Sequence, residues 1–202
     1  LMGNKSSAQS ACILPLPQNN HLYYVFTTDA FINNFQNGLC YSIVDMCLNN
    51  KIGGVISSSK NILLLNTASE KLTVTKHSNG IDYWIVTALN NTNSYYAYLL
   101  TQNGIADTVV SSVGPICGGA SSFGQMKISP DGSKMAIADG QGSNKAIVFD
   151  FDNSTGVISN PTVLPTSSTI YGVAFSPNNS KIYISEFLNV NQINQYDLSA
   201  GN

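Results

Sequence analysis

Four stretches of this chain are copies of one another, and that repeat limits what it can fold into more than any other feature. The two strongest copies are Lys127-Ile128-Ser129-Pro130-Asp131-Gly132-Ser133-Lys134-Met135-Ala136-Ile137-Ala138 and Ala174-Phe175-Ser176-Pro177-Asn178-Asn179-Ser180-Lys181-Ile182-Tyr183-Ile184-Ser185, which align at an offset of 47 residues. A weaker copy is Lys76-His77-Ser78-Asn79-Gly80-Ile81-Asp82-Tyr83-Trp84-Ile85-Val86. The weakest is Gln18-Asn19-Asn20-His21-Leu22-Tyr23-Tyr24-Val25-Phe26. Short strands recurring at a period of roughly 40–60 residues are the mark of propeller blades.

Each copy predicts the same strand order. An apolar strand comes first, then a turn rich in Pro, Asn, Asp and Gly. A second strand follows at 22–26, 83–87, 135–138 and 182–185, and a third at 41–46, 95–100, 146–151 and 193–198. A fourth, outer strand is readable at 61–65, 108–111 and 162–164. These runs are short, rich in Val, Ile and Tyr, and bounded by turn formers, and none keeps a helical period for three turns. Asp45, Leu99, Asp150 and Asp197 fall at one position of the third strand. In Ser129-Pro130-Asp131-Gly132-Ser133 the proline presets a type I turn and the glycine takes the left-handed position that closes the hairpin. Asp152-Asn153-Ser154-Thr155-Gly156 reads as a second such turn, since it lacks the alternating carboxylates of a calcium loop.

The expected fold is therefore all-β: a β-propeller of about four consecutive four-stranded blades, at roughly 8–66, 67–113, 114–166 and 167–202, the last incomplete. Propellers close so that no sheet edge is left bare. The stretch 1–7 is polar and poor in β-formers, an unpromising source of the missing strand. The chain reads as one segment of a larger ring of about seven blades.

Only 10% of the residues are charged, against the usual quarter, and all nine basic residues are lysine. With a net charge of −2 and scattered lysines there is no footprint for nucleic acid. No apolar run approaches a membrane span. Cys40 and Cys47 are seven residues apart, so on a regular strand they face opposite ways and cannot pair. Cys12 could reach a neighbouring strand, and Cys117 sits in a Gly-rich stretch. Without a Cys-x-x-Cys pair the sequence offers no zinc spacing. Free, buried thiols are the expectation.

Catalytic motifs are missing: no Gly-x-Ser-x-Gly, no His-Glu-x-x-His, no phosphate loop. His21 and His77 align with hairpin turns. Gly140-Gln141-Gly142-Ser143-Asn144 joins two strands rather than a strand to a helix. Asp139 and Glu186 occupy equivalent positions at the end of the second strand, on the face where propellers usually take ligands. There they could bind metal or do acid–base work, or they could cap loop amides. The loops on that face, 29–38, 90–93, 139–144 and 187–192, are rich in Asn and Gln and carry Phe31, Phe35 and Phe187. Amides beside aromatic faces suit glycan or polymer recognition. The expected ligand rim is Phe31, Phe35, Asn91, Asp139, Asn144, Glu186 and Phe187, with no catalytic residue and no metal ligand.

The runs Tyr41-Ser42-Ile43-Val44-Asp45-Met46, Glu70-Lys71-Leu72-Thr73, Lys76-His77-Ser78-Asn79-Gly80, Tyr83-Trp84-Ile85-Val86, Met126–Lys134, Phe149-Asp150-Phe151-Asp152-Asn153-Ser154-Thr155-Gly156-Val157 and Tyr196-Asp197-Leu198-Ser199-Ala200-Gly201-Asn202 resemble the propeller ectodomains of large secreted Bacteroidota proteins. Those are gliding-motility-associated cargo of the type IX secretion system. The resemblance implies an extracellular or cell-surface protein and offers no catalytic motif to transfer. Two functions follow as expectations. One is a non-catalytic binding or structural module for a glycan or protein, needing no cofactor, with Ca²⁺ the one ion left open. Its other partners would be the remaining blades of the ring. The other is a metal-dependent propeller hydrolase such as a lactonase-like enzyme.

Overall fold

A computed structural model of the protein describes residues 1–140, 144–188 and 191–199. Four antiparallel sheets follow one another along the chain. The first holds β1 (Ala11–Pro15), β2 (Leu22–Thr28) and β3 (Leu39–Asp45), with the short β4 (Gly54–Val55) and β5 (Ile62–Leu65) both pairing with β3. The second is β6 (Ala68–Lys76), β7 (Tyr83–Leu89), β8 (Thr92–Thr101) and β9 (Gly104–Cys117). The third is β10 (Met126–Ile128), β11 (Lys134–Asp139), β12 (Lys145–Asp152) and β13 (Val157–Leu164). The fourth is β14 (Thr169–Phe175), β15 (Lys181–Phe187) and β16 (Gln192–Asp197). These are four consecutive blades of a β-propeller, the last with three strands.

The turns form as their residues dictate. Gly132 has φ +73° and Gly156 φ +75°, both left-handed. The Asp131 carboxylate accepts from the Ser133 amide and from the Ser129 and Ser133 hydroxyls. Asp152 accepts from the Ser154 amide and hydroxyl. Both acidic turns thus use their carboxylates on their own backbone. At the ladder position predicted for the third strand, Leu22 pairs with Asp45, Lys134 with Asp150 and Lys181 with Asp197. One expected boundary shifts. The strand β9 runs on to Cys117, inside the stretch allotted to the third blade, because Cys117 pairs with Thr92 across a register shift.

Hydrophobic cores lie between blades. Tyr24, Phe26, Leu39, Ile85 and Leu100 fill the space between the first and second. Trp84, Tyr95, Met126, Met135, Ile147 and Phe149 fill that between the second and third. Ala136, Val148, Ile170, Ile182 and Ile184 join the third to the fourth. A blade with neighbours on both sides is buried on both sheet faces. In β7 and β11 five successive residues are therefore buried. In β15 burial alternates strictly, because only one face is covered. On its other face Ile193, paired with Ser185, is 73% exposed.

Residues 1–7 do not add a strand beside β16. They fold over the first blade, where the Asn4 amide donates to the Thr28 carbonyl, the Ser7 and Thr28 hydroxyls are bonded, and the Met2 amide donates to the Asn61 side chain. Cys12, Cys40 and Cys47 are free thiols, half-buried, buried and exposed in turn, and Cys117 is buried. No helix of the described residues is long and apolar enough to cross a membrane.

Candidate functional site

The second strands all end on one face of the partial ring, and the first strands all begin there. A chain so poor in charge would be expected to keep its carboxylates in water. On this face it buries four of them, Asp29, Glu70, Asp139 and Glu186, together with Lys71.

Asp29, Glu70 and Glu186 each accept hydrogen bonds from several groups around them. Glu186 accepts the Ser167 amide at 3.1 Å, the Ser167 hydroxyl at 2.7 Å, and the side chains of Asn194 at 2.7 Å and Gln192 at 3.3 Å. Asp29 accepts the amides of Ala30 and Asn37 and the side chains of Asn33 and Asn4. Glu70 takes the Ala8 amide at 2.6 Å on one oxygen and the Phe31 amide at 2.9 Å on the other. Burial by itself would raise the Glu186 and Asp29 carboxyls, and the donors around them outweigh it, so both end below the ordinary carboxylate range.

Lys71 is fully buried in the innermost strand of the second blade. Its ammonium reaches the carbonyls of Phe123 at 2.5 Å and Ala138 at 2.9 Å, and those of Ser122 and Gly124 at 3.4 Å. Burial pulls the Lys71 amine below its usual value, and the neighbouring Cys117, Asp139 and Glu70 oppose that pull. A register shift in β6 between Ala68 and Leu72 aims Glu70 and Lys71. Gln9 completes the inner wall. Its side-chain oxygen accepts the amides of Leu72 and Met126, and its nitrogen donates to the Met126 carbonyl. A cleft of about 380 Å³ runs past Gln9, Thr73, Gln125 and Lys127 between the inner strands.

The rim residues expected from the sequence divide. Phe31 is 40% exposed, on a short 3₁₀ turn (Phe31–Asn33), with its ring edge-on to Phe123 at 5.1 Å. Phe187 is half-buried and packs edge-on against Tyr171 at 6.0 Å. Asn91 and Asn144 are exposed at left-handed turn positions, φ +60° and +53°. Phe35 is not a rim residue. At φ +56° the loop turns it inward beside Phe31, where it is only 2% exposed. Asp139 and Glu186 lie beneath the rim rather than on it, since they too are buried. The exposed aromatics form two groups, one around Phe31 and one around Phe187. The loop residues Gln141, Gly142, Ser143, Asn189 and Val190 fall outside the described residues, as do Ala200, Gly201 and Asn202.

Sequence reasoning missed the tethering roles of Gln9, Asp29, Glu70 and Lys71. One signal was present for the last two: an adjacent Glu-Lys pair near the start of an inner strand, in a chain where only 10% of the residues are charged and only two are Glu.

No protein-family model matches the chain, and no curated protein sequence does either. Solved structures do. The periplasmic gluconolactonase of Pseudomonas aeruginosa superposes with a TM-score of 0.61 at 13% identity, over 87% of this chain and 50% of that one. A protein assigned as a 6-phosphogluconolactonase from Bacteroides uniformis gives 0.57 at 15% identity, over 93% and 53%. The β-propeller domain of Cps50 (Swd1) from Myceliophteria thermophila gives 0.54 at 12% identity, over 93% and 53%. The chain thus spans about half the length of the structures it resembles. Likeness at such low identity establishes one thing: the fold is that of a β-propeller.

Proposed function

We propose that this chain is part of a non-catalytic recognition propeller, one that takes a glycan or protein on the face carrying Phe31, Asn91, Asn144 and Phe187. The observation that carries this reading is the occupancy of the carboxylates. Acid–base or metal chemistry needs carboxylate oxygens that can turn toward a substrate. Asp29, Glu70 and Glu186 are buried and committed to loop amides and side chains. What that leaves at the surface is amides and aromatic faces, which bind without reacting. The half-length match to other propellers supports further blades completing a ring of about seven, and the exposed face around Ile193 is where the next would pack. The sequence resemblance to gliding-motility-associated ectodomains supports export to the cell surface.

The second reading, a lactonase-like hydrolase, is favoured by the likeness to the Pseudomonas gluconolactonase. Assaying hydrolysis of glucono-δ-lactone and of a phosphate monoester, with and without Mg²⁺ or Ca²⁺, separates the two. The recognition reading expects rates no higher than buffer. Metal-dependent turnover that disappears in an Asp139→Ala, Glu186→Ala double variant that still folds would replace it with the hydrolase.

A further inference from the structure

On the opposite face, the turn at the far end of the first blade departs from its repeats in a chemically directed way. In the third and fourth blades the ladder pair at this position is a lysine and an aspartate. The Lys134 ammonium lies 2.5 Å from Asp150 and the Lys181 ammonium 3.2 Å from Asp197. In the first blade the aspartate is kept as Asp45, but the lysine is replaced by Leu22. The cation is lost and two metal-binding groups take its place. His21, one residue earlier, brings its Nδ1 to 2.9 Å from the Asp45 carboxylate. Cys47 stands where the third blade has Asp152 and the fourth has Ser199. One ligand atom from each of His21, Asp45 and Cys47 lies within 4.8 Å of the others.

We propose that His21, Asp45 and Cys47 form a site for one divalent ion of the zinc class. An imidazole, a carboxylate and a thiolate suit zinc or cobalt, whereas calcium and magnesium require oxygen ligands throughout. Tetrahedral ligands about 2.0–2.3 Å from zinc stand roughly 3.3–3.8 Å apart, so the three atoms need close by only about an ångström. The backbone is already set. The Asn19 side chain accepts the amides of His21 and Leu22, the Met46 amide donates to the His21 carbonyl, and the Cys47 amide donates to Asp45. Binding exchanges the His21–Asp45 hydrogen bond for two metal bonds and releases the Cys47 thiol proton to solvent. Three protein ligands leave the fourth position to water or to a group from a partner. Linear spacing conceals the site, because the cross-strand pairing of β2 with β3 brings together residues 24 and 26 positions apart in the chain.

The test is titration of the purified chain with CoCl₂ and ZnCl₂, under reducing conditions. The site predicts one ion per chain, a thiolate-to-cobalt charge-transfer band, and a melting temperature raised by Zn²⁺. Cys47→Ser should remove the band. Leu22→Lys, which restores the ion pair of the other blades without touching a ligand, should weaken binding more than about tenfold while the chain stays folded. Absence of binding at millimolar Co²⁺ overturns the proposal. So does a band that persists in Cys47→Ser, since it would then arise from Cys12, Cys40 or Cys117.

Discussion

Glu70 and Lys71 are neighbours in the chain yet hold opposite blades. Adjacent residues of a strand face opposite sides of the sheet, and in a propeller those sides are the two adjacent blades. Glu70 turns to the first blade and takes the amides of Ala8 and Phe31. Lys71 turns to the third and donates to the carbonyls of Phe123 and Ala138. Two opposite charges, both buried, thereby cross-link three blades at the mouth of the ring. Removing the ammonium takes a donor from four carbonyls at once, at about 1–3 kcal/mol for each that is left unsatisfied. Lys71→Met, close in volume, should therefore lower stability by roughly 3–5 kcal/mol. Urea unfolding followed by Trp84 fluorescence measures this, and a loss below about 1 kcal/mol would show that the clamp is not holding the blades.

Glu186 plays the same part in the last blade, fastening Ser167 to Gln192 and Asn194. Glu186→Ala should cost about 1–3 kcal/mol, because several buried donors lose their acceptor at once. Under the recognition reading it should change ligand affinity by only a few-fold. Thermal melting and binding measured on the same variant separate a tether from a binding group.

Acid sensitivity follows from the same groups. Asp29, Asp131, Asp150 and Glu186 all sit below their ordinary values of 3.8 for Asp and 4.5 for Glu. A carboxyl lowered in the folded state binds fewer protons there than in the unfolded chain. Its stabilisation is complete above the unfolded value and is lost as pH falls through the folded one. The melting temperature should hold steady above about pH 5 and fall steeply below pH 4. Glu186→Gln should flatten part of that fall; an unchanged profile would remove Glu186 from the account.

The fold was legible because its signals are local. A Ser-Pro-Asp-Gly-Ser turn and an alternating strand need only a dozen residues to declare themselves, and the structure extends each predicted second strand by two or three residues without moving it. The ladder position shared by Asp45, Asp150 and Asp197 was legible for the same reason. The site was not. Lys71 bonds to carbonyls 51 to 67 positions away, and Glu70 to an amide 62 positions away. Nothing in the sequence pairs those residues until the blades are stacked. Phe35 went wrong for a different reason. An aromatic in a polar loop reads as exposed, but a left-handed backbone at a non-glycine residue folded it inward, and that conformation has no sequence marker here.

Gly156 gives a sharp test of the packing between the second and third blades. Its φ of +75° already disfavours a side chain. A Cβ placed there would meet the Trp84 ring at 2.8–3.0 Å, closer than any relaxed contact. Trp84 cannot yield easily. It is buried in the core between the two blades, its indole N–H donates to the Asn153 carbonyl, and the His77 ring packs against it at 5.8 Å. Gly156→Ala should therefore destabilise by about 1–3 kcal/mol, strain and overpacking acting together. Gly80→Ala is the control. Gly80 has a similar φ of +73° with nothing within 4 Å of its Cβ, so it carries the backbone term alone. The difference between the two variants in urea unfolding isolates the contact with Trp84. If Gly156→Ala proved no more destabilising than Gly80→Ala, the turn at Gly156 would not be pressed against the tryptophan, and the junction between these blades would be looser than described.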